Sequence, residues 1–452
     1  MRMNTGSSWR KALVACVTLA PALAQWQLVH SIPVPQLPIP FGTFRQVYDP
    51  DRQAVLLLGP ATFAYDGASL ATVTSLPPPA STAAFLAYDD RRHRAVWFDD
   101  VTQQTWELAG GTGSTWQRVV TAHAPTNRDG AMVYHARAGV CVYYGGYTGS
   151  FTSSSVETWH YDGVDWTLQP ATGLGRQHHT MYYDSVRGVA VVYAGARGYS
   201  FTPVFDVETY DGTSWQTVGA TFINPIGRLA FDPMHGRALV MTTSSVSNAA
   251  ADYWELDLLT RVQRTDLGVP AMSSPSGPPT LSTLSYDEHR GRAVCMGSLY
   301  TAGVLYLGIW ELRPEAGAMR FGQSCVGTSR TGATLEATVR PRLGQSLTVT
   351  MNGVQPGEVA IFAFGFSDEQ DAAGPLPRTL EAIGMPTCVQ LTAPDRISIG
   401  IASGTSVADS ESIPNLPELL GLIAFAQGVH TAAGATPAGA LTTNGLALLL
   451  GL

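Results

Sequence analysis

Short runs of apolar and polar residues alternate along the chain, and one run recurs. Each copy has an aromatic residue, then a polar turn rich in Asp, Arg and Gly, and then an apolar run such as "VAVVYAG". The six copies begin at Tyr48, Tyr88, Tyr134, Tyr183, Phe231 and Tyr286. Because the apolar part is rich in β-branched residues and the turn is short, each copy predicts two antiparallel strands.

A second run follows the first and predicts two more strands. It is centred on an aromatic residue in "TWEL", "ETWHYDGVDWTL", "ETYDGTSWQTV", "YWELD" and "IWEL", at Trp106, Trp159, Tyr210, Trp254 and Trp310. The copies of the first run start 40, 46, 49, 48 and 55 residues apart. Four strands in a period of this length are typical of the blades of a β-propeller. We therefore expect an all-β fold with a six-bladed propeller.

The sixth repeat lacks a fourth strand. It reaches "IWEL" and passes directly into "RPEAGAMRFGQSC". A matching segment, "WQLV" at Trp26 to Val29, stands before the first repeat. If this segment supplies the missing outer strand, the ring is closed by the N-terminal strand and leaves no open sheet edge.

The repeated "YDGVDW" and "YDGTSW" stretches resemble parts of a catalytic site, but a turn explains them better. Asp-Gly between two strands favours a tight hairpin, because such turns need positive φ angles. We therefore interpret Asp162-Gly163 and Asp211-Gly212 as turns, and expect Trp116, Trp166 and Trp215 to pack between blades.

Residues 318–452 change in character, with short alternating runs separated by Gly, Pro and Asn turns. This pattern predicts a small C-terminal β-sandwich. It resembles C-terminal modules of large exported bacterial β-proteins, a similarity that implies no activity. Carboxylates in "SDEQDAA" and "ADSES" could hold calcium, but the first group lacks the spaced ligand pattern and is better explained as a solvated loop.

The N-terminus predicts export. Arg2, Arg10 and Lys11 precede an apolar run that ends in a small-residue cleavage signal at 22–24, so we expect residues 1–24 to be a signal peptide cleaved before Gln25. "LVAC" at Cys16 also resembles a lipobox, which is the alternative. No later segment is long and apolar enough for a membrane span. The expected mature protein is secreted or at the cell surface, with its propeller at 25–317 and its sandwich at 318–452.

Charge and cysteine content narrow the picture further. Only 14% of the residues are charged and the net charge is −8, so the chain lacks the basic surface that nucleic-acid binding requires. Cys141 and Cys295 occupy equivalent apolar strands, where a free cysteine behaves as a small hydrophobic residue. Cys325 and Cys388 lie in the C-terminal region, and an oxidising compartment would let them form a disulfide.

The stretch Val140 to Leu168 resembles a kelch repeat, with the double glycine Gly145-Gly146, a loop and a closing tryptophan. The resemblance covers about residues 25–317 and weakens outside the third and fourth repeats. Kelch propellers are mostly binding scaffolds, although the similar central domain of galactose oxidase implies copper chemistry. Tyr134-His135 and His160-Tyr161 do not match that copper site, because they fall in turns on the opposite face. No metal, cofactor or catalytic residue is therefore expected.

Long loops on one face of the propeller are the expected binding surface, since loops on a rigid scaffold commonly carry function. Residues just before the first strands of several repeats form the candidate ligand-binding set: Arg45, Arg128, Arg176, His178 and Arg228. Convergent guanidinium groups could bind carboxylates or sugar acids. Alternatively, these arginines bond loop carbonyls and join neighbouring blades.

Two functions are compatible with the sequence. The first is a non-enzymatic exported binding or scaffold protein whose loop-bearing face binds a glycan, a peptide or a protein. The second is a carbohydrate-active or oxidative enzyme with its site at the channel mouth. Two carboxylates about 5 to 9.5 Å apart in a pocket would favour the enzyme.

Overall fold

A computed structural model describes residues 26–33, 44–59, 61–74, 78, 84–149, 153–220, 227–243, 250–264, 269–274 and 281–452. The expected signal peptide and its cleavage site before Gln25 lie outside these residues. The regular structure of the described part is β-strand, apart from two short 3-10 helices at Glu381–Ile383 and Pro417–Leu419. None of its helices is long and apolar enough to span a membrane.

Six antiparallel four-stranded sheets follow one another along the described chain, and we call them blades 1 to 6. The first described strand is β1 (Trp26–Pro33). Blade 1 contains β2 (Arg45–Asp49), β3 (Ala54–Leu58), β4 (Thr62–Tyr65) and β5 (Leu70–Thr74). Blade 2 contains β6 (Ala84–Asp89), β7 (Arg94–Asp99), β8 (Gln104–Ala109) and β9 (Gln117–Val119). Blade 3 contains β10 (Ala131–His135), β11 (Val140–Tyr144), β12 (Thr158–Tyr161) and β13 (Trp166–Gln169).

The remaining three blades are built in the same way. Blade 4 contains β14 (Thr180–Asp184), β15 (Val189–Tyr193), β18 (Asp206–Tyr210) and β19 (Trp215–Ala220). A small hairpin of β16 (Ala196–Arg197) and β17 (Thr202–Pro203) is inserted between the second and third strands of this blade. Blade 5 contains β20 (Gly227–Asp232), β21 (Arg237–Thr243), β22 (Ala250–Asp257) and β23 (Thr260–Gln263). Blade 6 contains β24 (Leu281–Asp287), β25 (Arg292–Thr301), β26 (Val304–Leu312) and, as its outer strand, β1.

The first strands of the six blades contact one another in a closed ring. β2, β6, β10, β14, β20 and β24 each pack against the next, and β24 packs against β2. A ring of antiparallel sheets with their first strands at the axis is a β-propeller. The fold is therefore all-β, as the sequence predicts.

Blade 6 is completed from the opposite end of the propeller sequence. Trp26 of β1 pairs with Leu312 of β26, and Leu28 pairs with Trp310 before a register shift. The Trp26 side chain is buried and packs edge-on against Tyr253 of blade 5, with their ring centroids 5.8 Å apart. The outer strand thus seals the edge of β26 and contacts the neighbouring blade.

An aspartate follows five of the six repeated aromatic residues and has a structural role. Buried Asp49 accepts hydrogen bonds from the backbone N–H groups of Asp51 and Arg52, at 3.0 and 3.1 Å, and pairs with the Arg52 guanidinium. The same arrangement, with a basic side chain three residues after the aspartate, recurs at Asp89, Asp184, Asp232 and Asp287. The repeated polar run is therefore a self-contained turn.

Aromatic side chains of the repeat join neighbouring blades. The indole N–H groups of Trp116, Trp166 and Trp215 donate to threonine hydroxyls on the preceding blade at 2.8, 2.9 and 2.8 Å. These threonines are Thr62, Thr105 and Thr158. Each hydrogen bond satisfies the polar atom of a large side chain that packs in the inter-blade contact.

The Asp-Gly pairs form turns, as the sequence predicts. Gly163 and Gly212 have φ angles of 100° and 98°, which L-residues rarely adopt. Oδ1 of Asp211 accepts hydrogen bonds from the backbone N–H groups of Thr213 and Ser214, both at 2.8 Å. The carboxylate that resembles a catalytic residue is therefore occupied in holding its own turn.

The C-terminal region consists of two sheets that share a core. The five-stranded sheet has the order β27 (Gly317–Phe321), β38 (Ala440–Leu449), β37 (Ile423–Thr431), β30 (Val359–Gly365) and β35 (Arg396–Ile401). The three-stranded sheet has the order β28 (Thr334–Val339), β29 (Ser346–Asn352) and β36 (Ser406–Ser412). Two small hairpins pair β31 (Gln370–Asp371) with β32 (Gly374–Pro375) and β33 (Arg378–Leu380) with β34 (Met385–Gln390).

Apolar side chains from the two larger sheets meet between them. Leu335, Val349 and Met351 of the three-stranded sheet pack with Phe362 and Leu448 of the five-stranded sheet. The domain boundary at residue 318 stays a prediction, because β27 carries residues that pack against both cores: Ala318 against the C-terminal core, and Met319 and Phe321 against the propeller core.

The cysteines are paired as the sequence predicts. Cys325 and Cys388 form a disulfide, and both side chains are buried. Cys141 and Cys295 are free and fully buried. Burial raises the pKa of both free thiols well above its usual value, so they remain protonated and act as packing residues.

Candidate functional site

The two faces of the propeller differ in their connections. We call the side that bears the links from second to third strands, and from each blade to the next, the loop face. We call the side that bears the turns within the first and last strand pairs the turn face. The candidate residues Arg45, Arg128, Arg176, His178 and Arg228 all stand at the loop-face ends of first strands.

A cavity of about 590 Å³ opens at the loop face, where the first strands of blades 2 to 5 begin. Its wall includes Phe85, Asp129, His178, His179, Phe201 and Arg228. Apolar rings and a few charged groups around a concave space are the usual composition of a small-molecule site. Of the five candidate residues, His178 and Arg228 line this cavity.

His178 is held by an acid on one side and a ring on the other. Its Nδ1 pairs with the Asp129 carboxylate, and its ring stacks near Phe201 with centroids 5.3 Å apart. The hydrogen bond to Asp129 raises the pKa of His178. The imidazole therefore carries more positive charge near neutral pH than a solvated histidine does.

Three residues of this wall have left-handed backbone conformations. The φ angles of Asp129, His178 and Phe201 are 62°, 55° and 49°. Each such conformation costs a non-glycine residue about 1 kcal/mol or more, and positions of this kind cluster at binding sites. The backbone of the loop face is thus bent to present these side chains.

A second guanidinium group, that of Arg45, lies near Arg228 but is not part of the cavity wall. Burial lowers the pKa of Arg228, and burial followed by the charge of Arg228 lowers the pKa of Arg45 to about 10. Asp100 and Asp129 oppose this shift at Arg45. The Arg45 Nε donates to the Ala84 carbonyl at 2.8 Å and its Nη1 donates to the Phe44 carbonyl at 3.0 Å. Arg45 therefore joins blade 1 to blade 2 and also adds positive potential beside Arg228.

The structure places Arg176 away from the cavity wall, and its side chain is fully buried. Nη1 donates to the carbonyls of Ala194 and Asp206 at 3.0 and 2.9 Å, and Nη2 donates to Glu208 at 2.6 Å. These contacts match the alternative interpretation, in which the arginine satisfies loop carbonyls and stabilises its blade.

Arg128 is exposed and lies outside the cavity wall. Its backbone pairs with Tyr147, with N–H to carbonyl distances of 3.0 and 2.8 Å. The residue thus tethers two long loops of blade 3 through its main chain. Its side chain remains a candidate contact at the rim.

His179 is a site residue that the sequence interpretation misses. Its side chain lines the cavity, and the residue is 6% exposed. Within the described residues neither ring nitrogen makes a hydrogen bond, although the Tyr144 backbone lies close to the ring. Burial, followed by the charge of Arg176, lowers the pKa of His179 to about 3, so the ring is neutral. Neighbouring residues of an extended strand point to opposite sides. The left-handed backbone at His178 removes that restriction and brings both rings to the cavity.

The described residues contain no group of three or more His, Cys, Asp or Glu side chains that could hold a metal ion. Among the residues that line the loop-face cavity, Asp129 is the only carboxylate in the described part of the chain. Its pairing with His178 orients the imidazole toward Phe201.

Comparison with known proteins adds little to this geometry. No protein-family model matches the chain, and no curated protein matches it. A similar solved structure is a structural-genomics target provisionally assigned as a gluconolactonase, with 13% sequence identity and a TM-score of 0.41; the match covers 64% of this chain and 93% of that one. A similarity of this size gives no information on activity, so the fold assignment depends on the strand pairing itself.

Proposed function

We propose that this chain is an exported binding protein whose loop-face cavity holds an acidic sugar unit of a glycan. The observation that carries the proposal is the cavity itself, whose wall contains Arg228 and the neighbouring rings of His178 and Phe201. A guanidinium group binds a carboxylate through two parallel hydrogen bonds, and a ring pair offers a surface for the apolar face of a sugar.

The charges around the cavity favour an anionic ligand. Burial, followed by the positive charge of Arg228, lowers the pKa of Arg45, so the two cations repel each other. A bound carboxylate would relieve this repulsion and would also pair with the partly charged His178. Arg228 is partly buried, so its pairing with a carboxylate is screened less by water than a pairing at a fully exposed side chain.

Export is part of the proposal and comes from the N-terminal sequence. The basic start, the apolar run and the small residues before Gln25 are typical of a signal peptide. The disulfide between Cys325 and Cys388 supports an oxidising compartment outside the cytoplasm. The kelch-like stretch at 140–168 supports a binding scaffold, since propellers with such repeats commonly bind partners through their loops.

A binding role fits the loop-face cavity better than hydrolysis does. Glycoside hydrolysis uses two carboxylates that face the same bond. In the described wall Asp129 pairs with His178, and Asp100, the nearby carboxylate, is fully buried, with Oδ2 accepting from the Asp129 N–H at 2.5 Å. The second carboxylate is thus enclosed behind the wall.

The test is binding of the mature chain, residues 25–452, to immobilised oligosaccharides. Uronic-acid oligomers should bind, and neutral oligomers of the same length should not. Replacing Arg228 with Gln should weaken the interaction on the order of tenfold, because one bidentate charge pair contributes about 1.4 kcal/mol or more. Arg118→Gln removes an equal charge from the exposed outer strand of blade 2 and should have no effect.

The proposal fails if neutral and acidic oligomers bind equally or if Arg228→Gln binds as tightly as the original chain. Selective binding of peptides instead of glycans would also contradict it. A thermal melt of each variant separates loss of the site from loss of the fold.

A further inference from the structure

A second and larger cavity, of about 720 Å³, opens on the turn face, opposite the site described above. Its wall is formed by apolar residues and tyrosines of the first strands: Val47, Tyr48, Tyr88, Tyr134, Met181 and Tyr183. Residues 319–321 of β27 border it from the C-terminal region. The cavity thus has a wall rich in aromatic and apolar side chains.

The tyrosine hydroxyls of this wall are already engaged. Tyr88 donates to Asp51 at 2.5 Å, and the hydroxyls of Tyr134 and Tyr183 accept backbone N–H groups of the preceding blades at 3.2 and 3.1 Å. The polar atoms of these side chains therefore join blades. The parts of these tyrosines that are available to a ligand in the cavity are the ring surfaces, and the faces of aromatic rings attract cations.

Two carboxylates, Asp90 and Glu288, lie in the wall at the same position of the repeat, directly after the buried aspartate. The equivalent residues in blades 1, 3 and 4 are Pro50, Ala136 and Ser185, which also line the cavity. The turn therefore forms without an acid at this position. The two carboxylates are not required by the local structure.

The other charged groups of the wall have partners, but these two have none. Asp51 accepts from Tyr88 and lies 3.0 Å from Nδ1 of His93, and Arg320 pairs with Glu336 at 2.6 Å. Within the described part of the chain, neither Asp90 nor Glu288 makes a hydrogen bond or an ion pair. Both keep accessible surface, and that surface faces the cavity.

Both carboxyls have raised pKa values. Enclosure by the surrounding protein, followed by the charges of Asp90 and Asp287, raises the pKa of Glu288 to about 7. Enclosure by the surrounding protein, followed by the negative charge of Asp89, raises the pKa of Asp90 to about 6. The charges of Asp51 and Asp49 add to this shift, and the charge of His93 opposes it. A cation bound near these groups would offset the negative charges that oppose their ionisation.

We propose that the turn-face cavity is a separate binding site for a small organic ammonium ion with an apolar chain. The ammonium group lies between Asp90 and Glu288, and the chain extends along the tyrosine wall. Aromatic faces and carboxylates are the groups that proteins use for such cations. An inorganic divalent cation fits less well, because calcium takes six or more oxygen ligands and the described residues contain no group of three suitable side chains.

The experiment is a calorimetric titration of the full mature chain at about pH 8 with n-hexylammonium and with 1-hexanol, which has the same chain and no charge. Hexylammonium should bind on the order of tenfold more tightly than hexanol. Asp90→Asn combined with Glu288→Gln should remove this preference. Glu418→Gln, an exposed carboxylate on a 3-10 helix, is the matched control and should change nothing.

A gain-of-charge variant covers the case in which the double variant folds poorly. Ser185→Asp places a third carboxylate at the equivalent wall position and should tighten hexylammonium binding severalfold. Binding should also strengthen from about pH 5 to pH 8, as Asp90 and Glu288 ionise. Nα-acetyl-lysine methylamide presents the same ammonium group as a lysine side chain in a peptide. Binding of either amine supports the site. The amine that binds more tightly shows whether the ligand is a free alkylamine or a lysine side chain.

Equal binding of hexylammonium and hexanol would overturn the proposal. So would a folded double variant that binds hexylammonium as tightly as the original chain, or a Ser185→Asp variant with unchanged affinity. Because these residues lie on the turn face, none of these results depends on the acidic-glycan site of the loop face.

Discussion

Arg176 and Arg228 both stand near the start of a first strand, but only Arg228 lines the loop-face cavity. The Arg176 guanidinium is enclosed by two loop carbonyls and Glu208. An enclosed charge is retained only when it is fully paired, because its desolvation otherwise costs several kcal/mol. The buried contacts of Arg176 therefore assign it a structural role within its blade.

Replacing Arg176 with Ala should destabilise the protein strongly. The change leaves Glu208 as an uncompensated buried charge beside two carbonyls, which should lower the free energy of unfolding by about 3 to 5 kcal/mol. Urea denaturation followed by tryptophan fluorescence measures this loss. Arg128→Ala, which removes an exposed side chain of the same type, should change stability by less than about 0.5 kcal/mol. Equal effects of the two substitutions would contradict the structural role of Arg176.

The sequence predicts the role of a residue well where that role depends on backbone conformation. Gly212 needs a positive φ, and an Asp-Gly pair between strands signals this directly. Side-chain direction is harder to predict, since the sequence alone does not show that Arg176 is fully buried and that Arg228 lines the cavity. Asp90 and Glu288 carry a signal that comparison of the repeats could reveal: a carboxylate where equivalent turns have Pro, Ala or Ser.

At the scale of elements, the pairing of β1 with β26 decides whether the ring is closed. β26 has β25 on one side and β1 on the other. Without β1, the N–H and C=O groups along β26 would form an exposed edge, and Tyr253 would lose its contact with Trp26. β1 therefore contributes backbone hydrogen bonds as well as a packed tryptophan.

Deleting residues 25–33 should lower the melting temperature by roughly 10 °C or more, because it removes a whole strand and a buried tryptophan side chain worth about 3 kcal/mol or more. Differential scanning calorimetry measures the shift. A synthetic peptide of residues 25–33 added in excess should restore part of the loss, whereas a scrambled peptide should not. A truncated chain that melts within a degree or two of the intact one would show that β1 does not support the ring.

The element pattern is the part of the fold that the sequence predicts best. Repeated aromatic and Asp-Gly positions mark the strands and turns of each blade, since these local signals are independent of distant contacts. The small hairpin of β16 and β17 is missed, because two-residue strands have no periodicity. The alternating runs after residue 318 predict strands but not the order in which they pair.

At the scale of the whole molecule, charged groups connect the propeller to the segment that leads into the C-terminal region. Glu315 accepts hydrogen bonds from Arg237 and Arg264 of blade 5 at 2.7 and 2.6 Å, and both arginines also pair with Glu255. Burial opposes ionisation of Glu315, but these hydrogen bonds lower its pKa to about 2. The sequence could not predict this contact, because its partners lie on separate elements.

Glu315→Gln should therefore destabilise the protein in a pH-dependent way. A carboxyl with a lowered folded-state pKa contributes stability above its unfolded value of 4.5, and this contribution disappears as the pH falls toward 2. The variant should be less stable than the original chain at pH 7, by at most about 3 kcal/mol, and the difference should shrink between about pH 5 and pH 3. Urea unfolding at several pH values measures it. A difference that stays constant with pH would show that the ionised form of Glu315 is not what matters.

The pairing of β1 with β26 also determines when the propeller ring can close during synthesis of the chain. Trp26 leaves the ribosome long before Leu312, its partner, has been translated. At about 5 to 20 residues per second, the first strand waits on the order of 15 to 60 s for the strand that it must join. During this delay the blades can form, but the ring cannot close. The nascent chain therefore exposes an unpaired strand that other proteins could capture, and factors that shield it would raise the yield of folded protein more than factors that act on any single blade.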